Sequence, residues 1–516
     1  MTTGSTLAPT PGTAPVVPGA GANTEPATRL PLATSTALAR AGAGYFDWLD
    51  HVWPAAGCTH PIRLAGDLLT VNATTGEVLR SVPTEGMPDG IIYKACGNRR
   101  ATVCPSCAET YRRDAYQLVR AGLIGGKTVP ASVAGHPAVF ATFTAPSFGP
   151  VHTRHVRRHT CRDKTRCTCR PAPCHARRDS PVCPHGRPLA CYARHEREDQ
   201  VLGQPLCLDC YDHDHHVVWN NQAGELWRRT KQAIERHLNR AARRRGLPRV
   251  RVSHGKAAEY QARGSVHFHA LLRLDGLDPD DKARIIPPPP GITVADLDEA
   301  VRYAAAAIGF TTDPHPEHPA GWPIAWGEQL DVRPITLTGD GTVTDAMVAG
   351  YLAKYSTKGT EVTGHASRRL DASTIRLYAD PKGTHTERLV QAAWDLGQHW
   401  ESLRRWAHML GFGGHFLTKA RRYSITFAAL RDARVHYRRT QAQGPDYDQQ
   451  RLDRQDDLDT ETTLIVGRLT YAGTGWKTTG DALLANTAAD QARRYREAGR
   501  EELAHQNALG QATHAA

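Results

Sequence analysis

Two runs with the composition of β-strands, at positions 250–260 and 265–274, constrain the fold of this chain most strongly. The four residues between them, Gln261-Ala262-Arg263-Gly264, have the composition of a turn. Short apolar, β-branched runs on either side of a turn are typical of paired antiparallel strands. The sequence therefore predicts a β-hairpin at the centre of the chain.

The predicted hairpin brings three candidate metal ligands to one face. If it centres near Arg263, Glu259 stands opposite His267, and directly opposed side chains lie about 5 Å apart on the same face. His269 is two residues further along and points to that face, whereas Phe268 points the other way, into a core. Two imidazoles and one carboxylate suit Mn²⁺ or a similar divalent ion such as Mg²⁺.

The His-x-His pattern carries little weight by itself. With 26 histidines in 516 residues, roughly one such pattern is expected by chance. His213-Asp214-His215 is a second copy. The alternative interpretation is a pair of surface histidines on a half-buried strand. The position of Glu259 opposite the first histidine is what favours a metal site.

The segment Tyr-Leu-Ala-Lys-Tyr-Ser-Thr-Lys at 351–358 carries two phenols and two ammonium groups. Spacings of three, four and seven residues place its polar side chains on one stripe of a helix: Tyr351, Lys354, Tyr355 and Lys358. A phenol has a pKa of about 10, so it is a poor nucleophile until it is deprotonated or helped by cations. The segment therefore predicts tyrosine nucleophiles assisted by lysines. The alternative is a buried aromatic face whose lysines extend to solvent.

We expect a cytoplasmic protein, in which twelve cysteines indicate bound metal more than disulfides. Four Cys or His ligands hold Zn²⁺ tetrahedrally and can fold a segment that has too little core of its own. The first predicted zinc set, with His60 as the alternative to its first member, is Cys58, Cys96, Cys104 and Cys107. The second set, for which His185 and His195 are alternative ligands, is Cys183, Cys191, Cys207 and Cys210. A third group has irregular spacing, and free thiols are an equal alternative for it: Cys161, Cys167, Cys169 and Cys174.

The net charge of the chain is +12, and the excess is concentrated in a stretch that leads into the hairpin. We predict DNA phosphate contacts from four of its arginines: Arg243, Arg244, Arg245 and Arg249. Such a run is also typical of a solvated helix face, so the prediction depends on its position beside a candidate nuclease site. Base-specific contacts cannot be inferred from it.

Membrane spans and nucleotide binding are not predicted. No stretch of 18 apolar residues occurs. Residues 121–128 match a relaxed phosphate-loop pattern, but that motif needs a strand before it and a helix after it. Here a helix-like segment precedes the pattern and Pro130 follows it. We expect no nucleotide cofactor, so unwinding of DNA would need a host helicase.

Three motifs occur in order along the chain. They are the apolar strand Val139–Pro146, the triplet His267-Phe268-His269, and the segment Val348–Lys354, in which Tyr351 follows the pattern hydrophobic-x-x-Tyr-hydrophobic-x-Lys. Tyr355 begins an imperfect repeat of the third motif. In this order the motifs resemble those of rolling-circle replication initiators of the HUH endonuclease superfamily. The chain is similar to the RepSA-like initiators of actinobacterial plasmids and integrative elements.

The resemblance implies a metal-dependent DNA nicking and joining endonuclease. A tyrosine would attack a phosphodiester of origin DNA, leaving a 5′-phosphotyrosine and a free 3′-hydroxyl for a host polymerase. Tyr351 is the predicted first nucleophile because it fits the motif better, and Tyr355 would allow alternating cleavage and rejoining. The implied partners are single-stranded and double-stranded origin DNA, a host helicase and a host polymerase.

Two other functions would use parts of the same pattern. A conjugative relaxase or single-strand transposase would share the chemistry, but relaxases usually place the tyrosine before a three-histidine cluster. In this chain the tyrosines follow the histidines, which favours an initiator. A non-enzymatic, zinc-stabilised DNA-binding regulator would need neither Tyr351 nor Tyr355.

We expect an α+β fold. An antiparallel sheet would carry the first motif and the hairpin, and a tyrosine-bearing helix would pack across it. The predicted segments are a disordered leader at 1–42, a zinc-binding region at 43–137, an HUH nuclease core at 138–425 and a charged, partly helical or disordered tail at 426–516. A zinc module at 151–211 is predicted to be inserted in the core.

Overall fold

The computed structural model of the chain describes residues 32–42, 44–72, 75–156, 170–179, 181–335, 344–357, 369–442 and 463–514. It divides into two compact units, one formed by Met1–Trp53 with Trp476–Ala516 and the other by Pro54–Gly475. Among the described helices, none combines the length and the apolar composition that a bilayer span requires.

The described helices are α1 Leu32–Arg40, α2 Tyr45–Val52, α3 Pro105–Ile124, α4 His213–Arg244, α5 Val294–Ala307, α6 Asp345–Ser356, α7 His385–Leu396, α8 Glu401–Arg405, α9 Phe427–Ala442 and α10 Thr479–His514. The described strands are β1 Ile62–Asn72, β2 Val78–Pro83, β3 Ile92–Lys94, β4 Ala138–Phe143, β5 Val250–Tyr260, β6 Val266–Gly276, β7 Gly309–Thr311, β8 Pro323–Ala325, β9 Leu330–Pro334, β10 Leu417–Lys419 and β11 Thr463–Thr474.

The central sheet has five strands in the order β10-β5-β6-β4-β9, and every neighbouring pair is antiparallel. The predicted mixture of helices with an antiparallel sheet is confirmed. The predicted hairpin is also confirmed, since β5 and β6 pair over their full length. Strand β4, which carries the first sequence motif, pairs with β6 on the other side.

The two faces of β6 pack against different helices. Phe268 and the residues of the same parity are buried in a core with α4. Leu271 points to the other face, where it packs with residues of α3 and α6. Because side chains alternate along a strand, His267 and His269 share the face of Leu271. The histidines therefore lie on the side of the sheet that α6 covers.

A second sheet joins β1 to β2, β3 and β11. Strand β11 lies in the segment for which the sequence predicts a partly helical or disordered tail, yet it pairs with β1 along eleven residue positions. The pairing partners are about four hundred residues apart, so no local pattern could reveal them. The sequence indicated only that α10, which follows β11, would be helical.

The other unit is formed by helices from the two ends of the chain. Helix α1 packs against α10, and Arg40 forms an ion pair of 2.8 Å with Asp481. Residues 32–40 of the predicted disordered leader are helical. The remainder of that prediction, residues 1–31, lies outside the described residues.

Close packing beneath the sheet leaves no room for a side chain at Gly122. This glycine lies in α3 against Tyr423, a fully buried residue whose hydroxyl donates a 2.7 Å hydrogen bond to the carbonyl of Val119. A Cβ atom at Gly122 would overlap the Tyr423 ring. The contact fixes how closely α3 approaches the segment that follows β10.

We expect Gly122→Ala to lower the free energy of unfolding by about 1–3 kcal/mol, since overpacking strains a filled core. Gly224→Ala is the matched control, because Gly224 is also helical and has open space around its Cα. Alanine should raise helix stability there by up to about 1 kcal/mol. Thermal or urea unfolding of both variants measures the difference. Equal stabilisation by both substitutions would contradict the packing described.

Candidate active site

Glu259, His267 and His269 form a compact cluster on the β5–β6 hairpin. Glu259 is paired directly with His267, as the sequence predicts. One carboxylate oxygen, Oε2 of Glu259, lies 3.1 Å from Nε2 of His267 and 3.1 Å from Nε2 of His269. The two Nε2 atoms are 2.9 Å apart. Three ligand atoms thus converge on one point, as a divalent metal ion requires.

Thr142 orients one of these histidines. Its Oγ1 lies 3.1 Å from Nδ1 of His269, and the two residues are opposed on β4 and β6. When Nδ1 donates its hydrogen to the hydroxyl, the lone pair of Nε2 faces the cluster. Sequence reasoning missed this role, although Thr142 lies in the first motif and its strand pairing would have revealed it.

Both predicted tyrosines lie on α6 and face the cluster. The hydroxyl of Tyr351 is 3.3 Å from Nε2 of His269. The rings of Tyr351 and Tyr355 have centroids 4.4 Å apart, and the centroid of Tyr355 is 5.7 Å from that of His269. Phe140 of β4 contacts Tyr351 edge to face at 5.8 Å. The candidate nucleophile therefore adjoins the candidate metal ligands directly.

The lysines of the same segment are less well placed to act on Tyr351. Lys354 is exposed, and its Nζ lies 5.9 Å from the centroid of the Tyr355 ring. Lys358 lies outside the described residues, beyond the end of α6. Of the two lysines, the structure thus brings Lys354 near Tyr355 rather than near Tyr351.

The protonation states of the cluster suit metal binding. Burial opposes the charge on Glu259, but hydrogen bonds from His267 and His269 outweigh it and hold the Glu259 pKa at about 2. Burial lowers the pKa of His269, so its imidazole is neutral at pH 7. The site thus presents one carboxylate and a neutral imidazole whose lone pair is available.

The tyrosines, by contrast, need assistance to ionise. Burial raises the pKa of Tyr351 well above its ordinary value, and the neighbouring Tyr355 raises it further. Burial also raises the pKa of Tyr355. A phenolate at either position therefore requires a cation close to its oxygen. The cluster of Glu259, His267 and His269 is the nearest place for one.

An arginine-lined groove of about 850 Å³ lies at the carboxyl end of α4. Its charged and aromatic lining consists of Arg236, Arg240, Arg243, Arg249 and Tyr303. In the described part of the chain, no carboxylate lies within ion-pair distance of these four arginines. Two of the predicted DNA contacts, Arg243 and Arg249, therefore line a concave basic surface.

The other two predicted DNA contacts are placed differently. Arg245 turns away from the groove and forms an ion pair of 2.6 Å with Asp296 of α5, and it also donates to the carbonyl of Gly291. Its guanidinium is occupied within the protein. Arg244 is exposed but does not line the groove. The arginines at 236 and 240, one and two helical turns earlier, are there instead.

The first predicted cysteine set comes together as expected. Cys58, Cys96, Cys104 and Cys107 have their sulfur atoms within 4.8 Å of one another. The Sγ atoms of Cys96 and Cys107 are 3.7 Å apart, and those of Cys104 and Cys58 are 3.8 Å apart. A tetrahedral zinc ion with sulfur ligands keeps them about 3.8 Å apart. His60, the alternative ligand, is not in this cluster.

The second set is corrected in one member. Cys183, Cys207 and Cys210 come together with His185 rather than with Cys191. Nδ1 of His185 lies 3.2 Å from Sγ of Cys210 and 3.8 Å from Sγ of Cys207. Cys191 belongs to a separate part of the insert, because it pairs by backbone hydrogen bonds with His175. His185, which the sequence offered as an alternative ligand, takes its place.

The third cysteine group is only partly described. Cys161, Cys167 and Cys169 lie outside the described residues. Cys174 is buried, and it lies in the same cluster as Cys191, together with His152 and His195.

Comparison with known proteins agrees with the geometry of the site. Residues 44–490 match the RepSA family, described as replication initiator protein, pSAM2. A replication initiator protein from Streptomyces ambofaciens is 42% identical over 470 residues, covering 89% of this chain and 92% of the relative. No solved structure matches the chain.

Removing the Thr142 hydroxyl should weaken metal binding at the hairpin. We expect Thr142→Val to lower Mn²⁺ affinity roughly 10–100-fold, because the tautomer of His269 is no longer fixed. Thr142→Ser keeps a hydroxyl on the same strand position and should retain most of the affinity. Titration of free Mn²⁺ by electron paramagnetic resonance measures both. Unchanged affinity in the valine variant would contradict the orienting role.

Proposed function

Because the chain belongs to the RepSA family of replication initiator proteins, we propose that it starts rolling-circle replication by nicking one strand of origin DNA. The enzyme would be a metal-dependent nicking and joining endonuclease of the HUH superfamily. The observation that carries this proposal is the 3.3 Å approach of the Tyr351 hydroxyl to His269, within the cluster of Glu259, His267 and His269.

A divalent ion held by Glu259, His267 and His269 would supply positive charge beside the scissile phosphate, which polarises it and favours the phenolate. Two imidazole nitrogens and one carboxylate oxygen are compatible with Mn²⁺ or Mg²⁺. The three protein ligands leave coordination positions open for phosphate oxygens. The fixed tautomer of His269 keeps its lone pair directed to that point.

Tyr351 would act as the first nucleophile. Its phenol loses a proton, and its oxygen forms a bond to phosphorus while the bond from phosphorus to the 3′-oxygen of the preceding nucleotide breaks. The products are a 5′-phosphotyrosine and a free 3′-hydroxyl, which a host polymerase can extend. Because the phosphodiester is exchanged rather than hydrolysed, the same step run backwards rejoins a strand.

Tyr355 would serve a second exchange when a round of replication ends. Its ring lies against that of Tyr351 and within 5.7 Å of the His269 centroid, so one metal ion would serve both tyrosines in turn. Lys354, whose ammonium group lies over the Tyr355 ring, would stabilise phosphate oxygens there. Lys358 is proposed for the same role on its place in the motif.

The arginine-lined groove would bind the phosphates of double-stranded origin DNA. Four arginines on a concave surface favour a polyanion, and Tyr303, which is 44% exposed, adds an aromatic surface. The groove adjoins the start of β5, whereas Glu259 lies at the far end of that strand. Duplex DNA would therefore be held away from the single strand that is cut.

The cysteine clusters would hold zinc in a structural role. Cys58, Cys96, Cys104 and Cys107 precede and begin α3, which packs against α6. The cluster of Cys183, His185, Cys207 and Cys210 would stabilise the insert that precedes α4. No step of the proposed reaction passes through either cluster. DNA unwinding is left to a host helicase.

Replacing both tyrosines should abolish covalent capture of DNA. Purified protein is mixed with labelled single-stranded origin DNA and Mn²⁺, and adducts are separated on a denaturing gel. Tyr351→Phe with Tyr355→Phe should give no adduct while DNA binding is kept, and each single variant should be impaired. Tyr495→Phe is the control, since Tyr495 is 83% exposed and lies in the other unit.

Loss of the metal ligands should have the same effect on cleavage. His267→Ala with His269→Ala should prevent adduct formation at all Mn²⁺ concentrations. An adduct that persists in chelator would contradict the metal assignment. If the unaltered protein binds origin DNA tightly and forms no adduct, the non-enzymatic DNA-binding regulator becomes the better account.

Substitution in the groove should weaken duplex binding without changing the chemistry. We expect Arg240→Ala with Arg243→Ala to lower affinity for all duplex sequences and to reduce the salt dependence by about one unit per lost phosphate contact. Arg228→Ala is the control, because Arg228 lies on the same helix but is paired with Glu225 at 2.6 Å. Fluorescence anisotropy across a salt series measures this. A double variant that matches the parent at every salt concentration would remove the groove from the account.

A further inference from the structure

The inserted segment contains a second group of four metal-binding side chains. We propose that His152, Cys174, Cys191 and His195 bind a structural zinc ion, separate from the one proposed at Cys183 and from the catalytic metal. Their ligand atoms all lie within 4.8 Å of one another. The proposal depends only on this geometry and not on the nicking reaction.

The distances among these atoms match the edges of a zinc tetrahedron. Nδ1 of His152 is 3.2 Å from Nε2 of His195 and 3.9 Å from Sγ of Cys174. Sγ of Cys191 is 3.6 Å from Nε2 of His195. Zinc bonds of 2.0–2.3 Å in tetrahedral directions place nitrogen and sulfur ligands about 3.3–3.8 Å apart. Two cysteines and two histidines are also a common structural zinc set.

The surrounding groups orient the ligands towards the same point. Oδ2 of Asp199 lies 2.6 Å from Nδ1 of His195, so that nitrogen carries the hydrogen and Nε2 presents its lone pair to the cluster. The backbone N–H of Thr153 donates to Sγ of Cys174 at 3.2 Å, which stabilises a thiolate. A carboxylate behind a histidine ligand is the usual arrangement around bound zinc.

Neither a disulfide nor the neighbouring His175 explains the cluster as well. Cys174 and Cys191 are both free thiols. His175 has its Nδ1 3.0 Å from Sγ of Cys174, yet it lies outside the set of atoms that are mutually close. His175 is instead paired through its backbone with Cys191, which holds that cysteine in place.

An ion here would account for how the insert is held together. In the described part of 151–211, backbone pairing between segments consists of isolated bridges, such as His155 with Ala172 and His175 with Cys191. The four ligands come from three separate stretches of chain. A zinc ion would join these stretches where hydrogen bonds alone are few. It would also fix His152, which lines a groove shared with the hairpin turn at Gln261–Arg263.

Counting zinc ions tests the proposal. After zinc saturation and removal of free metal, native mass spectrometry of the unaltered protein should show three zinc ions per chain, since three clusters have tetrahedral spacing. Cys191→Ser should lose one of them. Cys191→His, which restores a nitrogen ligand, should keep three. A count of two or fewer in the unaltered protein would overturn the proposal.

The control variant distinguishes the four ligands from their neighbour. His175→Ala removes an imidazole beside Cys174 and should retain all three ions, because His175 is not a ligand. Loss of one ion in His175→Ala, or full retention of zinc in Cys191→Ser, would show that the ligand set is wrong. These results are independent of adduct formation, so failure of the nicking proposal would leave them unchanged.

Discussion

The pairing of Glu259 with His267 is the constraint on which the rest of the site depends. It sets the register of the β5–β6 hairpin, and that register places one carboxylate and two imidazoles on the same face. A shift by one residue would send both histidines into the core against α4 and bring Phe268 to the metal face. The buried Phe268 therefore enforces the position of the ligands, because moving it would cost the core its largest contact on this strand.

The surrounding helices bring the nucleophile to this face and hold it there. Helix α6 packs on the sheet through Val348, Ala349 and Leu352, which leaves its tyrosines directed to the hairpin. The cysteine cluster at the start of α3 is linked to the same helix, since Arg99 donates a 3.0 Å hydrogen bond to the carbonyl of Ser356 at its end. A positive group at a helix carboxyl end is favourable. The first cysteine cluster is thus connected to the position of Tyr351 without taking part in its chemistry.

The sequence predicted the parts of this arrangement that depend on local periodicity. Alternation along β5 and β6 and the turn between them were enough to place Glu259 opposite His267. The spacing of Tyr351 and Tyr355 likewise predicted one helical face. Contacts between distant segments were not accessible: the pairing of β11 with β1 and the hydrogen bond from His269 to Thr142 depend on which strands become neighbours. The exchange of Cys191 for His185 has the same cause, since chain spacing alone cannot tell two interleaved ligand sets apart. Arg245 was assigned to DNA because its partner Asp296 lies on another helix.

The central claim is that the tyrosine nearest the metal ligands becomes joined to DNA. Its most direct test is tandem mass spectrometry of the adduct, after the protein and the DNA have been digested to a peptide carrying a single nucleotide. The account predicts that the nucleotide is attached to Tyr351 when the DNA supplied contains only the initial nick site. Attachment to a residue outside α6 would contradict it, because no other part of the site would then explain the position of Glu259, His267 and His269.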